Sequence, residues 1–245
     1  MPSPFFVSLQ PTPIFRSMPK LGIICAMQKE MDLISGYLKA GRTDSAAACE
    51  LRCVLSGIGK VNAAVSTMEL LGDFHPDAVL SLGVAGSFAD VVNVGDIILA
   101  SATAYHDVWC GDGTRFGQVQ GLPETFTADP DLLSAARRIL PGARIGLICS
   151  GDQFYISREE DQRQKALYPD ALAVDMESAA IAQVCHLDNI PFLSVRAISD
   201  VHNDGRQKEH YSSFWEGQAQ STLESLGEVA LGIADYLATN PPSTR

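Results

Sequence analysis

The sequence predicts a single α/β domain in which a mostly parallel sheet is covered by helices on both sides. Three observations lead there. Short runs that are apolar on both faces alternate with segments of helical period. No composition break divides the 245 residues. That length suffices for one large domain with a substantial core. Hydrophobic residues make up 46% and charged residues 19% of the chain, a globular balance rather than a disordered or fibrous one.

Pro2, Pro4, Pro11, Pro13 and Pro19 punctuate the start of the chain, which matches no periodic template and lacks the basic-then-apolar layout of a secretion signal. Residues 1–19 therefore read as a disordered arm, 20–238 as the domain and 239–245 as a disordered tail. Strands are predicted over Leu21–Ala26, Leu51–Ser56, Ala78–Leu82, Asp96–Ala102, Ile145–Ser150 and Phe192–Ile198. Each is too short for a helix, and most end at Gly, Ser or a polar residue. Lys60–Leu71 sets Val61, Ala64, Val65, Met68 and Leu71 on one helical face. Met176–Leu187 does the same with Ala180, Ile181, Val184 and Cys185 and stops before Pro191. A last helix over about Ser213–Ala238 carries Leu223, Leu226, Val229, Ala230, Ile233 and Leu237.

Charge and cysteine usage exclude several classes of function. Lys plus Arg number 18 against 29 Asp plus Glu, a net charge of −11. A nucleic-acid binder needs a basic face, and no basic cluster here exceeds Arg137-Arg138. Nucleic acid is thus not a partner, although a single nucleoside remains admissible. Charge-free stretches such as Ala78–Ala89 fall short of the ~20 apolar residues of a membrane-spanning helix, so no membrane partner is expected. Cys25, Cys49, Cys53, Cys110, Cys149 and Cys185 never take Cys-x-x-Cys spacing. They read as reduced thiols of a cytoplasmic protein rather than disulfides or zinc ligands.

In a parallel sheet, ligands sit at the carboxyl ends of the strands. Those ends read Ala26-Met27-Gln28-Lys29-Glu30, Ser56-Gly57-Ile58-Gly59-Lys60, Leu82-Gly83-Val84-Ala85-Gly86, Ser150-Gly151-Asp152-Gln153-Phe154 and Arg196-Ala197-Ile198-Ser199-Asp200, with Val174-Asp175-Met176-Glu177 nearby. Gly57-x-Gly59 is followed by Asn62 where a dinucleotide fingerprint wants a third glycine. Gly59-Lys60 lacks the flanks of a P-loop, no Gly-x-Ser-x-Gly elbow occurs, and His75, His106, His186, His202 and His210 never take metal-ligand spacing. Three carboxylates remain: Glu30, Glu177 and Asp200. Singly, each is compatible with a helix-start acid or a cap.

Taken in order with their flanks, these segments resemble the 5′-methylthioadenosine/S-adenosylhomocysteine nucleosidases of the nucleoside phosphorylase superfamily. The resemblance runs from about Lys20 to Leu237. It rests on Gly22–Glu30, Ser56–Ala64, Val94-Gly95-Asp96-Ile97, Tyr105-His106-Asp107, Ser150–Phe154, Asp175-Met176-Glu177 and Arg196–Val201. It implies a mixed, mostly parallel central sheet flanked by helices, and hydrolysis of an adenine–ribose bond with no metal or organic cofactor. It casts Asp200 as the acid that protonates purine N7 and Glu30 as the base that activates water. Glu177 would accept hydrogen bonds from the ribose hydroxyls, and Arg196 would help place the water. Phe154 would stack on the base, the Tyr155 backbone would read its edge, and Met27 and Met176 would line the sugar. Val84, Ser199 and Tyr211 complete the substrate-binding set. The resemblance also implies a homodimer in which a neighbour's loop, here Val108–Pro123 with Trp109 and Phe116, closes the 5′ pocket around a small adenine nucleoside.

The sequence departs from the family pattern at Val84, where many members have serine, at Tyr211, where phenylalanine caps the base, and over Val108–Gln120. A phosphorylase on the same fold is one alternative, but phosphate needs fixed cations and Gly22–Glu30 offers only Lys29. A futalosine hydrolase is the second alternative, and a nucleoside-binding sensor without catalysis is the third.

Overall fold

Leu21, Ile23, Ile24 and Cys25 are all buried, so the segment Lys20–Cys25 (β1) has no wet side and becomes an interior strand. The computed structural model describes residues 18–41, 48–88, 91–154, 158–201 and 205–240. Seven further strands appear among them: β2 (Glu50–Leu55), β3 (Ala78–Ser87), β4 (Ile97–Tyr105), β5 (Phe126–Thr127), β6 (Arg144–Ser150), β7 (Ala171–Asp175) and β8 (Phe192–Val201). The helices are α1 (Gln28–Ala40), α2 (Lys60–Phe74), α3 (Pro130–Ile139), α4 (Arg158–Leu167), α5 (Ser178–Leu187), α6 (Gln207–Gly217) and α7 (Ala219–Thr239).

The sheet is mixed and mostly parallel, as expected. β1 pairs in parallel with β2 and β3, β3 with β8, β4 with β6 and β6 with β7. Antiparallel joins link β3 to β7, β4 to β8 and β4 to β5. Strands β3, β8, β4, β6 and β7 therefore pair in a closed ring, from which β1 and β2 extend as an open wing. Successive side chains point to opposite faces, and both faces are filled. Ile23, Leu80 and Leu193 pack with α1, α3 and α7, whereas Ile24, Val79 and Phe192 pack with α2 and α5.

Four expectations need correction. The strand expected to end at Leu82 does not end there, because β3 continues to Ser87 between its neighbours β7 and β8. The long last helix is two, broken at Gln218 between α6 and α7. β7 was not anticipated, since its five residues are too few to show a period. On α2 the face bearing Val61, Val65 and Met68 points outward, with exposures of 74%, 52% and 52%. Leu71 of that face is buried as read, together with Ala63, Ser66, Thr67, Leu70 and Phe74. The α5 and α7 faces are buried as read. Residues 1–17 and 241–245, most of the anticipated arm and tail, lie outside the described residues.

Candidate active site

The carboxyl ends of β1, β3, β7 and β8 surround a cavity of about 280 Å³, large enough for one small ligand. Four carboxyl groups line it: Glu30, Asp175, Glu177 and Asp200. No lysine or arginine stands among its described lining residues, so its field disfavours anions.

Glu30 lies in the first turn of α1 but is only 2% exposed, not the solvated acid common at helix starts. Its Oε2 accepts from the Met27 N–H at 2.8 Å and its Oε1 from the Val84 N–H at 2.8 Å. The first bond is half of a capping box, and the second ties α1 to β3. Gly83 makes that approach possible, because a Cβ there would stand 2.6 Å from Glu30 Oε1. Burial pushes the Glu30 carboxyl above its usual range, against the pull of the Val84 N–H, the Arg196 charge and the Met27 N–H.

Glu177 holds the N-cap position of α5, and its side chain turns away to accept from the Gly59 N–H at 2.7 Å. Gly59 has φ +96° at the start of α2, a conformation that suits glycine. Burial, reinforced by the adjacent Asp175 charge, pushes Glu177 up to about 8, with the Gly59 N–H and Arg196 opposing. Asp175 itself ends β7 and is clamped. Arg196 Nε donates to its Oδ2 at 2.8 Å, Ser150 Oγ donates to its Oδ1 at 2.5 Å, and the Ser178 hydroxyl also donates to Oδ2. Arg196 completes its bonding with Ser81 Oγ at 2.8 Å and the Val195 carbonyl at 3.3 Å. So many partners offset the cost of burying this ion pair.

Asp200 owes its aim to a bulge. Ala85 pairs with Ile198 but Gly86 with Asp200, leaving Ser199 as an extra residue in β8. Consecutive side chains of a regular strand point to opposite faces; the bulge breaks that alternation, and Ser199 and Asp200 both line the cavity. Asp200 is fully buried. Its Oδ1 accepts from Ser199 Oγ at 2.6 Å and its Oδ2 from Gln207 Nε2 at 2.7 Å.

Aromatic groups cover the opening. Phe154 and Tyr211 meet edge to face at 5.4 Å, and the Tyr211 hydroxyl donates to Met27 Sδ at 3.6 Å. Lys29, the one cation of Gly22–Glu30, stands 3.7 Å from the Trp215 ring centroid and 4.6 Å from that of Tyr211, rather than over the cavity.

The fold thus brings Met27, Glu30, Val84, Phe154, Met176, Glu177, Ser199, Asp200 and Tyr211 to one cavity. Arg196 is not at the cavity surface, and Tyr155 lies outside the described residues. Sequence reading missed the individual parts of Gly59, Gly83, Asp175 and Gln207. Asp175 had a usable signal in the apolar run Ala171–Asp175 that it ends. Gln207 had none, since nothing in its neighbours marks it as a partner of Asp200. No cluster of His, Cys, Asp and Glu suited to a metal occurs among the described residues.

Residues 20–234 match the phosphorylase superfamily. The 5′-methylthioadenosine/S-adenosylhomocysteine nucleosidase of Staphylococcus aureus (strain JH9) is 35% identical over 221 residues, spanning 84% of this chain and 96% of that protein. The Neisseria meningitidis 5′-methylthioadenosine/S-adenosylhomocysteine nucleosidase, solved with methylthio-immucillin-A, superposes with a TM-score of 0.78 at 34% identity, covering 86% of this chain and 98% of that one. Futalosine hydrolase of Helicobacter pylori also gives 0.78, at 26% identity over 87% of this chain and 97% of that one. By sequence over most of its length and by fold, the chain belongs to the 5′-methylthioadenosine/S-adenosylhomocysteine nucleosidase family of the phosphorylase superfamily.

Proposed function

We propose that the protein hydrolyses the N-glycosidic bond of 5′-methylthioadenosine and S-adenosylhomocysteine, releasing adenine and the thioribose product. The observation that carries this reading is a single cavity lined by the buried carboxyls Glu30 and Asp200, with no cation among its described lining residues. Breaking the bond leaves positive charge on the ribose and negative charge on the departing base, so one group must give a proton and another must take one. Asp200 delivers its proton to purine N7 as the C1′–N9 bond breaks and its electron pair passes to the base. Water bonds to C1′ and its proton passes to Glu30. Among the described residues phosphate has no seat, because Arg196 is committed to Asp175 and Ser81 and Lys29 to aromatic rings.

Glu177 takes the ribose hydroxyls, Phe154 stacks on the adenine and the Tyr155 backbone reads its edge. Met27, Met176 and Val84 line the sugar, Ser199 orients Asp200, and Tyr211 closes over the base. Arg196 acts from behind, through Asp175 and its pull on Glu30. Stacking of a base on an aromatic ring contributes ~1–3 kcal/mol, so Phe154 sets much of the affinity.

The working unit is a homodimer. Ile58 lines the cavity yet is 51% exposed, and beside it on α2 the exposed Val61, Val65 and Met68 form an unpartnered apolar face. A neighbour's Trp109, stacked on Phe116 with centroids 6.2 Å apart and 56% exposed, supplies apolar surface for the 5′ group. Val65→Asp should halve the particle mass in sedimentation and raise KM for methylthioadenosine; a wild-type monomer with full activity would contradict this. Residence in the cytoplasm fits six free cysteines and the absence, among the described residues, of any helix long and apolar enough to cross a membrane.

The test is release of the free base, followed by ultraviolet absorbance, from methylthioadenosine, S-adenosylhomocysteine and futalosine, each with and without phosphate. Cleavage of the first two without phosphate is expected. A phosphate requirement would overturn hydrolysis, and cleavage of futalosine alone would overturn the substrate.

A further inference from the structure

Gln207 is the first residue of α6 and half-buried, and its Nε2 amide group points back at the acid. That single NH₂ donates to Asp200 Oδ2 at 2.7 Å and to the Phe154 backbone carbonyl at 3.3 Å. It bridges the proposed proton donor and the main chain of the residue proposed to stack on the base. An adenine ring presents N7, an acceptor, beside its 6-amino donor on one edge. A base whose N7 meets Asp200 brings that amino group to the same side of the carboxyl, against the neighbouring backbone. The amide of Gln207 and the amine of the base are alike in size, planarity and donor count, and they ask for the same two acceptors.

We infer that Gln207 sets affinity for the base: its amide holds the place of the substrate's amino group and is displaced by it, donor for donor. The inference rests on the function proposed above. Its physical logic is satisfaction of a buried acid. Asp200 is fully buried, and a buried carboxyl oxygen that loses its donor carries a desolvation cost, even with Ser199 still donating to the other oxygen. A 6-amino base restores the donor that Gln207 withdraws, so the exchange is nearly even. A 6-oxo base presents an acceptor at that position, cannot replace the amide, and sets oxygen against oxygen. Gln207 thereby lowers affinity for every base by the same factor, and the preference for an amino-purine lies with Asp200 itself.

Wild-type protein, Gln207→Ala and Gln207→Leu are titrated with adenine and hypoxanthine by calorimetry, and KM and kcat for methylthioadenosine are measured in parallel. The leucine variant keeps the side-chain bulk and helix propensity without a donor. Removing the competing donor should tighten adenine binding and lower KM about 3- to 10-fold, the scale of one net hydrogen bond, with the effect falling on KM rather than kcat. Both bases displace the same amide, so hypoxanthine should gain as much as adenine in both variants. Weaker or unchanged adenine binding in both variants overturns the inference, as does a gain confined to one of the two bases. If wild-type protein binds neither base, the proposed function falls and the inference falls with it. If wild-type protein binds adenine and cleaves methylthioadenosine but the variants do not shift, the inference alone fails.

Discussion

Glu30 and Asp200 are both buried carboxyl groups on one cavity, yet they are held by opposite kinds of partner. Glu30 receives the N–H groups of Met27 and Val84, which can only donate and cannot turn. Asp200 receives the hydroxyl of Ser199 and the amide of Gln207, groups on rotatable side chains. A hydroxyl donates to an ionised carboxyl and accepts from a protonated one. Fixed donors favour a carboxylate and suit a proton acceptor. A rotatable surround tolerates both protonation states and suits a group that must carry a proton and then release it. This contrast supports the proposal that the two acids of one cavity take opposite tasks.

The largest effects should come from removing either acid. Glu30→Gln and Asp200→Asn should each lower kcat by ~10²–10⁴, the usual contribution of general acid–base catalysis; near-normal turnover would remove that residue from the mechanism. Burial raises the Glu30 pKa, so wild-type activity should fall as pH drops through that raised value, where the base becomes protonated. Glu30→Gln should lose this acidic limb.

A second pair of variants contrasts the two surrounds rather than the acids. Gly83→Ala places a Cβ 2.6 Å from Glu30 Oε1 and must push the carboxyl off its Val84 donor. A displacement of that scale should cost ~10²-fold in kcat. Ser199→Ala removes one rotatable donor that water can replace, and should cost only about 5-fold. Equal losses in the two variants would erase the distinction between fixed and rotatable partners.

The smallest expected effect concerns Glu177. Glu177→Gln should impair cleavage of the ribonucleoside more than that of its 2′-deoxy analogue, and equal losses would argue against recognition of the ribose hydroxyls. Its stability has a matching signature. Folded Glu177 keeps its proton up to about 8, while the unfolded chain releases it near the ordinary value of 4.5. More protons are bound in the folded state, so this contribution is complete below the unfolded pKa and is lost as pH rises through about 8. Glu177→Gln should flatten the fall in melting temperature across that window; an unchanged slope would place the raised pKa elsewhere.

Much of the frame was legible in the sequence because burial on both faces leaves strands with continuous apolar runs, as in Leu21–Cys25 and Phe192–Ile198. The rest was lost where tertiary contacts outweigh local pattern. Gly83–Gly86 has the composition of a turn, but β8 alongside and Glu30 above hold it as strand. The apolar stripe of α2 has a helical period that cannot say which side faces the core, and here Val61, Val65 and Met68 face outward while Leu71 is buried. The motifs made Glu30, Glu177 and Asp200 visible as a group. Their differing partners were hidden, since Val84, Gly59 and Gln207 meet them only through the fold.

The central claim is that Asp200 supplies a proton to the leaving base while Glu30 acts on water, and a change of leaving group tests it most directly. A nitrophenyl 5-methylthioriboside departs as a stable phenolate and needs no protonation. With this substrate Asp200→Asn should recover to within about tenfold of wild-type turnover, most of the general-acid contribution, while Glu30→Gln stays impaired. Equal recovery of the two variants, or recovery of Glu30→Gln alone, would contradict the assignment.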